Sequence, residues 1–305
     1  MLSMRGLWIF SAVIGTCLLA GAASAEPMIH AFDRANRRIV TFDALSPETL
    51  ISSLPLSGFL PYETIAGIDF RPATGELYGL AHAIGPTSSR LVRIDLQTGV
   101  IASVGSSTSQ LNGDPFGVDF DPAADVVRVV NQRGQNARLS PVDGSLLGLD
   151  TNLHYRPDDV GAGGPSPYIL QIAYGNNVAG AATSTLYGID FQTDSLVRIG
   201  GVDGDPSANS GEMSTIGSLG VVASQLGGAF DIEAGSGDAY AILPVASRSR
   251  LYRIDLATGA ATPLGIVGGG NIDGMAIARP ERIFASGFEA PPQDSKQWAP
   301  AGLPD

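Results

Sequence analysis

The sequence predicts an all-β protein, a single β-propeller of five four-stranded blades whose ring is closed by N- and C-terminal strands. Three observations predict it. One segment recurs with a period near fifty residues, the apolar residues inside each copy alternate, and 39 Gly and 20 Pro among 305 residues supply turns at an unusual density.

The recurrence is plainest in Arg90-Leu91-Val92-Arg93-Ile94-Asp95-Leu96-Gln97-Thr98-Gly99 and in the segment from Arg250 to Gly259, identical at eight of ten positions. Weaker copies start at Arg38, Arg138 and Leu186, so that an Asp falls at 43, 95, 143, 190 and 255, in steps of 52, 48, 47 and 65. In the best copies Val92, Ile94 and Leu96 share one face and Leu91 the other, the two-residue period of a strand. The Asp-Leu-x-Thr-Gly that follows ends the strand, with its Gly free to take positive φ.

A second strand family precedes the first: Gly67 to Phe70, Gly117 to Phe120, Gln171 to Tyr174, Gly228 to Ile232 and Asp273 to Ile277. Between the families lie Glu76 to Leu80, Val126 to Val130 and Asp238 to Leu243, which brings each unit to four short strands. The chain enters with three strands between Ile29 and Leu54, and the copy at Asp273 supplies only a first strand. One blade is therefore shared between the termini. Near Asp190 the strand order stays open, because Ser195 to Ile199 competes for the same place, and a six-bladed ring or an open β-solenoid remains the alternative. No long amphipathic helical pattern occurs.

The ends read differently. Residues 1–25 have a basic start, an apolar run from Gly6 to Ala20 and Ala23-Ser24-Ala25 before Glu26, the pattern of a cleavable signal peptide. Export to the periplasm or the outside is expected, with no membrane span, since the run is short of the ~20 residues a span needs. Residues 26–280 are the propeller domain, and 281–305 a Pro/Gly-rich tail. Cys17 leaves with the signal, so thiol chemistry and disulfides are excluded from the mature chain. Of 18 basic residues only Lys296 is a lysine, which argues against Schiff-base catalysis. A net charge of -12 is the wrong sign for nucleic acid.

The motifs Phe116-Gly117-Val118-Asp119-Phe120-Asp121-Pro122, Val127 to Val130, Gly134 to Arg138 and Ala173-Tyr174-Gly175-Asn176-Asn177-Val178-Ala179-Gly180 resemble the bacterial exported family known as domain of unknown function 4394. The resemblance runs from about Ile29 to Pro280. It implies a propeller-like exported domain with no established reaction. Arg282 to Glu289 also resembles a short tail found near the ends of exported proteins of Gram-negative bacteria.

Two residue groups are candidate sites. Asp69, Asp119, Asp231 and Asp273 recur in the innermost strands and form a ring of channel carboxylates, able to bind a cation or polyol, or simply to accept backbone N–H groups of adjoining turns. Arg128, Asn131, Arg133, Gln135 and Asn136, with Asn176 and Asn177, concentrate donors suited to carboxylates or sugar hydroxyls, or else form a turn and a solvated face. No resident cofactor or metal is expected, although Asp203-Gly204-Asp205 with Asn209 and Glu212 hints at calcium without the order of an EF-hand loop. The function expected is a monomeric binding or envelope-interaction module for an unknown small molecule, glycan or envelope protein. The alternative is a propeller lyase or hydrolase with His82 or His154 as base.

Overall fold

The computed structural model describes residues 27–83, 88–108, 110–225 and 227–278. The expected signal peptide, Cys17, Lys296 and the 281–305 tail lie outside the described residues.

Blade 1 takes β1 (Met28–Asp33), β2 (Arg38–Asp43) and β3 (Leu50–Pro55) from the N-terminal end. Blade 2 holds β4 (Glu63–Phe70), β5 (Leu77–Ala83), β6 (Ser88–Ile94) and β7 (Ile101–Ser103). Blade 3 holds β8 (Phe116–Asp121), β9 (Val126–Asn131), β10 (Asn136–Leu139) and β11 (Leu146–Leu149). In blade 4 the short β12 (His154–Tyr155) precedes β13 (Ile169–Tyr174), β14 (Leu186–Asp190), β15 (Ser195–Ile199) and β16 (Glu212–Ser218). Blade 5 holds β17 (Ala229–Ile232), β18 (Ala239–Val245), β19 (Arg248–Ile254) and β20 (Ala261–Ile266). The last strand, β21 (Ile272–Ile277), returns to pair antiparallel with β1 as the inner edge of blade 1.

This is a five-bladed propeller with the terminal closure that the sequence predicts. The helix among the described residues amounts to two short 3-10 turns, Val202–Gly204 and Ala208–Ser210.

The recurring Asp earns its place at the turn after the third strand. Asp95 Oδ1 accepts from Gln97 N at 2.7 Å, and Asp255 Oδ1 accepts from Ala257 N at 2.8 Å, tying off the loop before the chain returns. Gly99 closes that turn at φ +73°, and a Cβ there would also collide with the Pro55 carbonyl oxygen of blade 1. The structure resolves the ambiguity at Asp190. That residue ends β14, the second strand of its blade, and β15 is the third, so Asp190 is not equivalent to the other four. The long step to 255 follows from this shift and from the 3-10 segment between β15 and β16. β12 adds a fifth strand, parallel to β16, that alternation over two residues could not announce.

The core lies between blades rather than within them. Ile29, Val40 and Phe42 of blade 1 pack on Ala229, Tyr240 and Ile242 of blade 5, and every other junction has a similar apolar cluster. Each sheet thus buries both faces against its neighbours.

Candidate functional site

Five inner strands, β21, β4, β8, β13 and β17, surround the axis. At one level stand Gly67, Gly117, Gln171, Ala229 and Gly274, where the channel narrows to about 20 Å³, the room of a single water. Three of the five are glycine because neighbouring strands meet there: a Cβ on Gly67 would lie 2.9 Å from Val118 Cβ, and one on Gly274 3.0 Å from Ile68 N.

Two residues further along each strand come Asp69, Asp119 and Asp231, each no more than 2% exposed. Their carboxylates clip blade to blade. Asp69 Oδ2 accepts from Phe120 N at 2.8 Å, Asp119 Oδ2 from Tyr174 N at 2.8 Å and Asp231 Oδ2 from Ile277 N at 2.7 Å, each donor sitting on the next inner strand. Blade 4 has Ala173 at this position. Gln171 serves instead, with its amide lying against Ala229 N–H and C=O at 3.0 and 3.1 Å in the orientation that satisfies both.

The three carboxylates converge, with one oxygen of each within 4.8 Å of the others. A triangle of that size has its centre about 2.8 Å or less from every corner, slightly beyond calcium–oxygen lengths at its upper limit. Burial, followed by repulsion from Asp69, pushes Asp119 and Asp231 well above the usual carboxylate range. Asp119 and Asp231 therefore hold protons, or the cluster would share a cation, at a pH where ordinary aspartates are ionised.

Asp273 stands at a different level. It lies one residue before Gly274, where the channel opens into a funnel of about 670 Å³. Burial raises the Asp273 carboxyl, while Arg34, 3.0 Å away, pulls it back down. The funnel is built from strand starts and connecting loops of several blades: Arg34 after β1, Asp114 before β8, Tyr168 before β13, Ser247 before β19, Arg248 at its start, and Asn271 before β21. Loops of a rigid ring thus converge on one concavity.

The loop residues singled out in the sequence lie elsewhere. Arg128, 1% exposed, donates to Tyr174 Oη at 3.2 Å, Asn136 Oδ1 at 2.9 Å, Asp150 Oδ2 at 2.7 Å and Asn209 Oδ1 at 2.6 Å, binding blade 3 to blade 4. Asn136 is buried and donates to the Thr151 and Ala208 carbonyls. Asn131 Oδ1 accepts from Arg133 N and Gln135 N, the work of a turn, and Gln135 reaches back to Gln110 and Asn112. Arg133 is exposed. Asn176 sits at φ +55° and donates to the Thr183 carbonyl, while Asn177 lies at the far end of the channel. These seven residues do not meet in one concavity. Nor do the histidines meet: His82 is buried behind Phe116, with Nδ1 2.9 Å from Ser89 Oγ, and His154 is exposed on the outer strand of blade 4. Asn209 turns toward Arg128, whereas Asp203 accepts from Thr183 Oγ1.

Sequence reasoning missed Arg34, Asp114, Tyr168, Arg248 and Asn271. Arg34, Asp114, Tyr168 and Asn271 lie in different loops and Arg248 begins β19, and no spacing rule joins them.

The family model described as Domain of unknown function (DUF4394) matches residues 38–276. The chain belongs to that family. No curated protein sequence is significantly similar to this DUF4394 chain. Among solved structures it is similar to a chain in a crystal structure of a nidogen/laminin complex, at 11% identity and a TM-score of 0.50, over 83% of this chain and 98% of that one. It is also similar to a structural genomics protein of unknown function from Bacteroides thetaiotaomicron VPI-5482, at 15% identity and a TM-score of 0.47, over 80% and 58% of the two chains. A putative 6-phosphogluconolactonase from Bacteroides fragilis NCTC 9343 follows at 14% and 0.41, over 83% and 70%. At these identities the likeness concerns the fold alone.

Proposed function

We propose that this DUF4394 protein is an exported binding module that takes a small polyhydroxylated ligand, of the sugar or short-glycan class, into the funnel at the wide end of its ring. The carrying observation is the composition of that concavity. Two cations, Arg34 and Arg248, face two carboxylates, Asp114 and Asp273, among amides and hydroxyls, around a volume that suits a small molecule. Balanced charge gives no strong preference for an ion of either sign. Groups that donate stand beside groups that accept, which is the pattern sugar hydroxyls require, and the Tyr168 ring offers an apolar face. Export rests on the composition of residues 1–25.

The test is an oligosaccharide and polyol panel titrated calorimetrically against wild type, Asp273→Asn, Arg34→Ala and Arg133→Ala. At least one sugar is expected to bind, with affinity reduced tenfold or more by either funnel substitution and unchanged by Arg133→Ala. Equal binding by all four proteins removes the funnel, and loss in Arg133→Ala alone moves the site to the β9–β10 loop.

A further inference from the structure

The axis has a second concavity at its other end. Where β4 and β21 finish, beside blades 1 and 2, a pocket of about 400 Å³ opens between Phe70, Ile277, Met28, Ile51 and Leu96. Its walls differ from those of the funnel. They are largely apolar, and Ile51 and Leu96, which line it, keep 58% and 36% of their surface exposed.

Inside it, polar groups are few and specific. His30 Nδ1 lies 3.1 Å from Thr41 Oγ1, and its ring meets Phe70 edge-on with centroids 5.5 Å apart. That leaves Nε2 as the ring atom with no hydrogen-bond partner among the described residues. Burial drives the imidazole pKa down to about 4, so the ring is neutral at ordinary pH. The one cation on the wall, Arg71, is committed to Asp125 by two bonds of 2.8 and 2.5 Å. Nothing in the pocket calls for a charged ligand.

We propose that this pocket is a second binding site, for an uncharged, mostly apolar molecule that carries one hydroxyl or carbonyl group and places it against His30 Nε2. The apolar walls bind the body of such a molecule, and the imidazole fixes its orientation.

Two probes separate the contributions: 4-propylphenol, which has the hydroxyl, and propylbenzene, which lacks it. Binding is followed by chemical-shift changes in the full mature protein. Both probes are expected to bind wild type, the phenol more tightly. His30→Phe keeps the ring contact and is expected to weaken 4-propylphenol about tenfold, the weight of one neutral hydrogen bond, with propylbenzene unaffected. Ser52→Trp, or Ile51→Trp should the first fail to fold, fills the mouth and is expected to abolish both. No binding by wild type overturns the proposal, including the case in which residues 279–305 already fill the cavity. Equal loss of both probes in His30→Phe also overturns it.

Discussion

Arg128 shows how little the polarity of a side chain says about its address. Its guanidinium is nearly sealed from solvent, with Asp150 as its counter-ion. Burial alone would raise Asp150, but Arg138 and Arg128 outweigh it and hold the carboxyl below its ordinary range. Cutting such a pair strands a buried charge, so Arg128→Met is expected to cost about 3–5 kcal/mol in urea unfolding. Arg138, which is more exposed, should cost about 1 kcal/mol or less when replaced by Ala. The carboxylate cluster responds to pH in the opposite sense. Because Asp119 and Asp231 keep protons in the folded state that an unfolded chain releases above about pH 4, their contribution is complete below that value and is lost as pH rises. His30 runs the other way, losing stability as pH falls from about 6.5 toward about 4, so the cluster is best read in a His30→Phe background that lacks this opposing trend. In that background Asp119→Asn should make the urea midpoint fall less steeply as pH rises from about 4, and an unchanged slope refutes the assignment. If the cluster shares a cation instead, millimolar calcium should raise the wild-type midpoint at pH 8, and chelator should reverse it.

At the scale of single strands, the inner edge of each blade is set by what is missing. Gly67→Ala puts a methyl within 2.9 Å of Val118 Cβ, a contact with nowhere to relax between two clamped strands, and an overpacking cost of about 1–3 kcal/mol is expected in thermal unfolding. The G-x-D-F repeat that encodes this, at Gly67 to Phe70 and Gly117 to Phe120, was legible because glycine, alternation and carboxylate recur together. Strand type and blade number were readable for the same reason. Asp273 shows the limit: it resembles the other aspartates in composition, yet it lies in a bulged stretch of β21, where Ile272 pairs with Asp33, and lines the funnel. Asp190 misleads similarly, since a turn-forming Asp can follow the second strand as well as the third. The polar run from Arg128 to Arg138 reads alike whether it is solvated or buried, because periodicity reports a face and not which neighbouring blade covers it. Apart from Asp273, the funnel left no linear trace, as each blade contributes scattered loop and strand-start residues.

For the ring as a whole, the decisive joint is where β21 meets β1. Four junctions between inner strands carry a side-chain clip, from Asp69, Asp119, Gln171 and Asp231, and the fifth relies on the close approach of Gly274 to β4. Ending the chain before Ile272 removes an edge strand, the Ile277 N–H that donates to the Asp231 clip and part of the blade 1 core together. Such a truncation is expected to show no cooperative melting by circular dichroism, and a sharp transition would mean that the ring tolerates a gap. The closure also sets a clock on biogenesis. Arg34 and Asp273 are 239 residues apart, so at 5–20 residues per second a ribosome needs roughly 10–50 s after making the first strands before it supplies their partner. Throughout that interval the leading three-stranded sheet shows an open flank to any chaperone, and the finished fold is withheld until the last strand emerges.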